Sequence, residues 1–167
     1  LNAKMLEVCS TTLPQMVLPR IKSHPLYLEH LKTRIKRYER YSNLAYDILK
    51  NVKGLLVNRA NGAFYMSAVF EEWVLNHQQT LPIENDEVRE TIERLVSGSS
   101  VAPDKRFVYY LLASTGICVV PLSSFATDLQ GFRVTLLEKD EDDFVQIFNT
   151  IADSIKRYVN SYQGSTH

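Results

Sequence analysis

The sequence carries no net charge, because nineteen Lys and Arg side chains balance nineteen Asp and Glu. No whole-molecule field therefore draws in nucleic acid or an anionic membrane. No apolar run approaches the roughly 18 residues that a membrane-crossing helix needs. The N-terminus lacks the basic start and apolar stretch of a secretory signal. Cysteine occurs only twice, at Cys9 and Cys118, far apart and in apolar surroundings. Both are read as buried free thiols in a reducing, cytoplasmic compartment, not as a disulfide. His24, His30, His77 and His167 are scattered, so no zinc site is expected. Internal repeats and low-complexity segments are absent as well.

What remains is the composition of an ordinary globular chain, 45% hydrophobic and 23% charged. Its 167 residues have room for one domain with a sizeable core, or for one domain and a long connecting helix. The chain opens without Met and in mid-pattern, and is expected to be a fragment of a longer protein.

Leu1, Met5 and Val8 have helical spacing, and a loop broken by Pro14 and Pro19 is expected to follow. From Pro25 to Val52 the positions Leu28, Leu31, Ile35, Tyr38, Ala45, Leu49 and Val52 mark one helical face, interrupted by Ser42. Lys53-Gly54 should end that helix through a left-handed glycine. Such a helix, about 40 Å long, suits an element that links two bodies. Leu55 to Val57 reads as a short strand, Asn61-Gly62 as a turn, and Ala63 to Phe70 as a second strand. Residues 74–85 read as a loop, and Val88, Ile92 and Leu95 as one face of a short helix. Asp104 is expected to cap a helix running to Thr115 and closed by Gly116. Ile117 to Val120 reads as a strand covered on both faces. From Gly131 to Leu137 the chain alternates: Phe132, Val134 and Leu136 face one way, Arg133 and Thr135 the other. The last helix is the best specified. Asp140 caps it, Glu141, Asp142 and Asp143 fill its first turn, and Lys156 and Arg157 lie near its end. Its buried stripe is Phe144, Ile147, Phe148, Ile151, Ile155 and Tyr158. The tail from Gln163 to His167 is expected to be disordered. This order predicts an α/β (α+β) fold, a small mixed sheet covered on one face by helices and preceded by a long interdomain helix.

Three segments resemble the small domain of class I/II, fold-type I aminotransferases. Asn61-Gly62-Ala63-Phe64-Tyr65-Met66 is similar to the strand that opens that domain. Thr115-Gly116-Ile117-Cys118-Val119-Val120-Pro121 resembles the family's Gly-[Val/Ile]-x-Val-x-Pro strand, with the alanine aminotransferase branch the nearest match. Gly131-Phe132-Arg133-Val134-Thr135 looks like its Arg-containing strand. The resemblance implies a division into 1–24 as the end of a large domain, 25–53 as the connecting helix, 54–160 as the small C-terminal domain and 161–167 as the tail.

It also implies chemistry. An amino acid is gripped by its α-carboxylate, and Arg133 falls in the position of the guanidinium that does so through two charge-assisted hydrogen bonds. The cofactor is pyridoxal 5'-phosphate, and the substrates are an amino acid and a 2-oxo acid. The Lys that forms the Schiff base, the Asp at the pyridine nitrogen and the aromatic that stacks on the ring would all precede residue 1. Thr33-x-x-Lys36 has the spacing of the lysine motif but sits in a highly polar helix. No catalytic, cofactor-binding or metal residue is thus expected in this chain, which alone would be inactive. The family is usually homodimeric. Two departures stand out. Leu122 replaces a family Gly, where a left-handed backbone would be resisted, and residues 73–103 match poorly.

Two rival readings follow from the residues. Lys32, Arg34, Lys36, Arg37 and Arg40, interleaved with Tyr38 and Tyr41, could bind single-stranded nucleic acid. Glu29, Glu39 and Asp47 interrupt them, and a solvated helix face is the plainer account. The other rival is a non-catalytic interaction domain built on an aminotransferase-like scaffold.

Overall fold

A computed structural model describes residues 11–98 and 100–162. The helix expected at Leu1, Met5 and Val8, the thiol of Cys9, and the tail from Gln163 to His167 lie outside the described residues. The chain divides into two compact units, Leu1–Arg37 and Tyr38–His167.

In the first unit, helix α1 spans Thr12–Lys22, where a loop was expected. Neither proline forbids it. Pro14 lies in the first turn, whose N–H groups have no intrahelical partner in any case. Pro19 removes one interior hydrogen bond, and its own carbonyl still accepts from Ser23 N at 3.0 Å. No residue of α1 is buried. Helix α2, Tyr27–Leu49, begins in this unit and continues into the second.

The second unit is built on a four-stranded sheet of β1 (Leu55–Val57), β2 (Tyr65–Phe70), β3 (Val120–Pro121) and β4 (Gly131–Thr135), in the order β1-β2-β4-β3. Every pairing is antiparallel, where a mixed sheet was expected. Helices α3 (Asp86–Val96), α4 (Pro103–Thr115) and α5 (Glu141–Asn160) complete it. The sheet shows the clean alternation of a layer with one covered face. Met66, Ala68 and Phe70 of β2, and Phe132 and Val134 of β4, are buried together. Phe107 of α4 packs its ring against Phe70 and Phe132, and Tyr158 of α5 packs against Phe107.

Several sequence expectations shift in this frame. Leu28 and Ile35 are exposed, and the buried residues of α2 are Tyr41, Ser42, Ala45 and Leu49. Ser42, read as an interruption, is itself in the core. On α3 the buried pair is Ile92 and Val96, while Val88 and Leu95 are exposed, a rotation of the stripe by about one residue. Only Val120 and Pro121 of the run from Ile117 form strand, and they lie at the sheet edge. Val120 and Cys118 are accordingly exposed, and the thiol expected to be buried is not. Asp104 caps nothing: Ala102 is the N-cap of α4 and Pro103 opens it.

Gly54 is left-handed, at φ 81°, but it does not end α2, which stops earlier at Leu49. Other expectations hold. Gly116 closes α4 in the left-handed region at φ 76°. Asp140 caps α5 by accepting from Asp142 N and Asp143 N. Arg40 on α2 donates through Nε and Nη2 to Glu141 at 2.6 and 2.5 Å, tying α2 to the start of α5. That bidentate bond holds the Glu141 carboxyl below its ordinary range. A lowered carboxyl pKa stabilises the fold above the unfolded value, so this contribution fades as pH falls.

Among the described residues, the Tyr158 hydroxyl is buried without a hydrogen-bond partner, and burial pushes its pKa up, only partly offset by Arg106. Removing an unmade bond should cost nothing. Tyr158→Phe is therefore expected to leave the thermal midpoint unchanged or to raise it, by up to about 1 kcal/mol of stability. A clear loss of stability in that variant would mean that the hydroxyl is bonded after all.

Candidate functional site: an arginine held by two aromatic rings

The face of the sheet turned away from the core carries the residues that pair across β2 and β4 at alternate positions. Register places Tyr65 opposite Thr135, Ser67 opposite Arg133, and Val69 opposite Gly131. On its other side Arg133 faces Val120 of β3. The single cation of β4 thus stands mid-sheet, half-buried, on the outer face.

Two rings hold its guanidinium. The Arg133 Cζ lies over the Tyr65 ring at 4.5 Å and over the Phe125 ring at 4.1 Å. The ring of Phe64 follows at 4.3 Å from Tyr65, and Tyr38 of α2 at 6.2 Å from Phe64. A ring quadrupole attracts the cation without neutralising it. Among the described residues, no carboxylate forms an ion pair with Arg133. Its N–H donors keep their capacity for an external anion, and planar recognition of a carboxylate is what that fork of donors suits.

Phe125 reaches this position through an unusual connection. After β3 the chain makes a 3₁₀ turn, Leu122–Phe125, which ends on Ala126 in the left-handed region at φ 54°. Leu122 lies inside the turn and is not itself left-handed, so the strain expected at Leu122 falls on Ala126 instead. Along β1 and β2 a depression of about 620 Å³ opens, bounded by Asn58, Arg59, Ala60, Tyr65, Ser67 and Val69; Arg133 is not part of its lining. Another cavity, of about 600 Å³, is lined by residues such as Thr80, Arg89, Tyr110 and Arg157. None of its lining residues belongs to a strand, and it is separate from Arg133.

Arg133, the one site residue picked from the sequence, is thus set on the outer face as the alternation required. Tyr65 and Phe125 were missed as its partners. Tyr65 could have been found, since it lies at an outward position of β2, in phase with Ser67. Phe125 carries no periodic signal. On α2, Arg40 is engaged with Glu141, and Thr33 turns its hydroxyl back to Glu29 O at 3.0 Å. No cluster of His, Cys, Asp and Glu able to hold a metal occurs among the described residues, and none of their helices is long and apolar enough to cross a membrane.

No protein-family model matches the chain. It is 53% identical over 160 residues to an uncharacterized aminotransferase of Methanocaldococcus jannaschii, a match covering 96% of this chain and 37% of that protein. It is 30% identical over 153 residues to a probable mitochondrial alanine aminotransferase of Dictyostelium discoideum, covering 89% of this chain and 26% of that one. The chain therefore spans between about a quarter and somewhat over a third of the length of these curated relatives. Among solved structures it is similar to an aspartate aminotransferase of Rhizobium meliloti, with a TM-score of 0.57 and 26% identity over 77% of this chain and 27% of that one. An aspartate aminotransferase of Rhodobacter sphaeroides shares the fold at 15% identity, with a TM-score of 0.51 over 80% of this chain and 26% of that one. Sequence and fold together make this chain a homologue of one segment of the aminotransferases.

Proposed function

We propose that the chain is the C-terminal small domain of a pyridoxal-phosphate aminotransferase, a cytoplasmic homodimer that moves an amino group between an amino acid and a 2-oxo acid. Residues 1–24 are then the end of the large domain, 25–53 the connecting helix, 54–160 the small domain and 161–167 its tail. The observation that carries this reading is Arg133: an outward cation in mid-sheet, oriented by two rings, with no ionic partner among the described residues. In that role it binds and orients the substrate α-carboxylate, and the flanking rings shield the ion pair from water, which strengthens it.

Among the outward positions of the sheet, Leu56, Tyr65, Ser67, Val69, Val120, Arg133 and Thr135, none is a lysine able to join the cofactor's aldehyde. We assign that lysine and the phosphate cradle to the rest of a longer chain. The apolar side chains of α1 agree with a larger body: Leu13 and Met16 are 73% and 65% exposed.

The test is to incubate the complete natural chain and the segment 1–167 with pyridoxal phosphate, reduce both with borohydride and weigh the peptides. The expected result is one cofactor mass on a lysine outside residues 1–167, with no stoichiometric adduct on the segment alone. A stoichiometric adduct within the segment would contradict the division of labour. A natural chain that takes up no cofactor would leave a non-catalytic interaction domain.

A further inference from the structure

The carboxylate of Asp104 is fully buried in the first turn of α4, and among the described residues no cation forms an ion pair with it. Burying a charge in that way is costly unless hydrogen bonds replace its hydration. They do. Asp104 Oδ1 accepts from Ser123 Oγ at 2.7 Å, and Oδ2 accepts from Ser123 N at 2.9 Å and Gly131 N at 3.3 Å. One side chain thereby pins two separate stretches, the turn that carries Phe125 and the first residue of β4. Both stretches end at the same place. Phe125 lies two residues beyond Ser123 in a single 3₁₀ turn, Arg133 lies two residues beyond Gly131 on the strand, and ring and guanidinium meet at 4.1 Å.

Ala102 stands at the N-cap of α4 without a side-chain bond, and the Asp104 N–H is met by Gln130 Oε1 at 3.2 Å. The Asp104 carboxylate directs its bonds outside the helix, to the turn and to β4. Leu122 buries the start of that turn, while its far end is looser: Phe125 is 43% exposed, and the turn closes on a non-glycine residue in the left-handed region.

We propose that Asp104 is a positioning residue for the carboxylate site, acting through Ser123 to hold the Phe125 ring against Arg133. The inference rests on the reading of Arg133 as the carboxylate-binding group. Asp104 and Ser123 touch no substrate. They set the angle at which the guanidinium presents its donors, because the Phe125 ring fixes one side of a guanidinium whose other ring contact is Tyr65.

Ser123→Ala is the informative variant, since it removes one bond and leaves both backbone bonds of Asp104. The experiment is a double-mutant cycle with Phe125→Leu in the cofactor-loaded complete chain. It reads the dissociation constant of 2-methylalanine, an amino acid with no α-hydrogen to lose, and the thermal midpoint beside it. Each single variant is expected to weaken binding about fivefold, the size of one ring–cation contact. The double variant should also stand near fivefold, because the serine acts only through the ring. Effects that multiply, or a Ser123→Ala protein that binds as the unaltered one does while Arg133→Ala does not, would overturn the proposal alone. An Arg133→Ala protein with undiminished affinity would overturn the carboxylate reading, and this proposal with it.

Discussion

Arg133→Ala in the complete natural chain is expected to weaken binding of an amino-acid substrate by about two to three orders of magnitude. A carboxylate gripped by a guanidinium makes two charge-assisted hydrogen bonds; at about 1.5–2 kcal/mol each on a partly open face, their joint loss removes about 3–4 kcal/mol. The reciprocal cost inside the protein is small. Arg133 forms no ion pair among the described residues, and its contacts are the two rings. Losing them sacrifices about 1 kcal/mol of cation–π attraction on a partly open face. Binding should therefore collapse while the thermal midpoint moves little, a separation that a core residue could not show. Arg133→Lys sharpens the comparison. It restores the charge but offers a point donor in place of a planar fork, and should recover only part of the lost affinity. Dissociation constants for the three proteins, measured beside their thermal midpoints, check this. Unchanged affinity in Arg133→Ala, or full recovery in Arg133→Lys, would sink the carboxylate role.

The placement of Arg133 was legible because it depends on a two-residue period. Once Phe132, Val134 and Leu136 are assigned inward, Arg133 has only one way to face. Helix α5 was legible for the same local reason, as its cap, acidic first turn and apolar stripe lie within twenty residues. The left-handed Gly116 was readable too, at the end of α4, whereas Gly54 lies in the turn before β1, beyond the end of α2 at Leu49. Asp104 was not. An aspartate three residues before a helical stripe reads as a cap, and only its bonds to Ser123 and Gly131, nineteen and twenty-seven residues away, reveal otherwise. Phe125 failed for a similar reason, since nothing local says that a Ser-Ser-Phe turn returns over the sheet. The run from Ile117 to Val120 misled because apolar content was taken for burial on both faces. Its place at the sheet edge comes from topology, which periodicity does not encode.

Gly131→Ala is expected to be the most damaging single-methyl change in the second unit, costing about 3 kcal/mol, the upper end for overpacking a tight site. A Cβ at Gly131 would lie 2.2 Å from the carbonyl oxygen of Ala68 and 2.8 Å from Leu122 Cδ1. The leucine can turn away, but the carbonyl cannot. Ala68 is a buried residue of β2, and moving its backbone opens the β2–β4 pairing on which the sheet centres. Backbone conformation is not the obstacle, since Gly131 is not left-handed. Alanine would even restrict the unfolded chain and return about 0.4–1 kcal/mol, too little to offset the clash. Gly62 supplies the contrast, because a Cβ there meets nothing within 4 Å and its φ is not positive. Gly62→Ala should therefore stabilise slightly, so that two identical substitutions differ in sign. Urea midpoints for both variants decide it, and a Gly131→Ala protein as stable as the parent would mean that the strands part more easily than this packing allows. Displacing the first residue of β4 also releases the Gly131 N–H from Asp104. The same methyl should then loosen the grip of Arg133 on a carboxylate, even in the folded fraction.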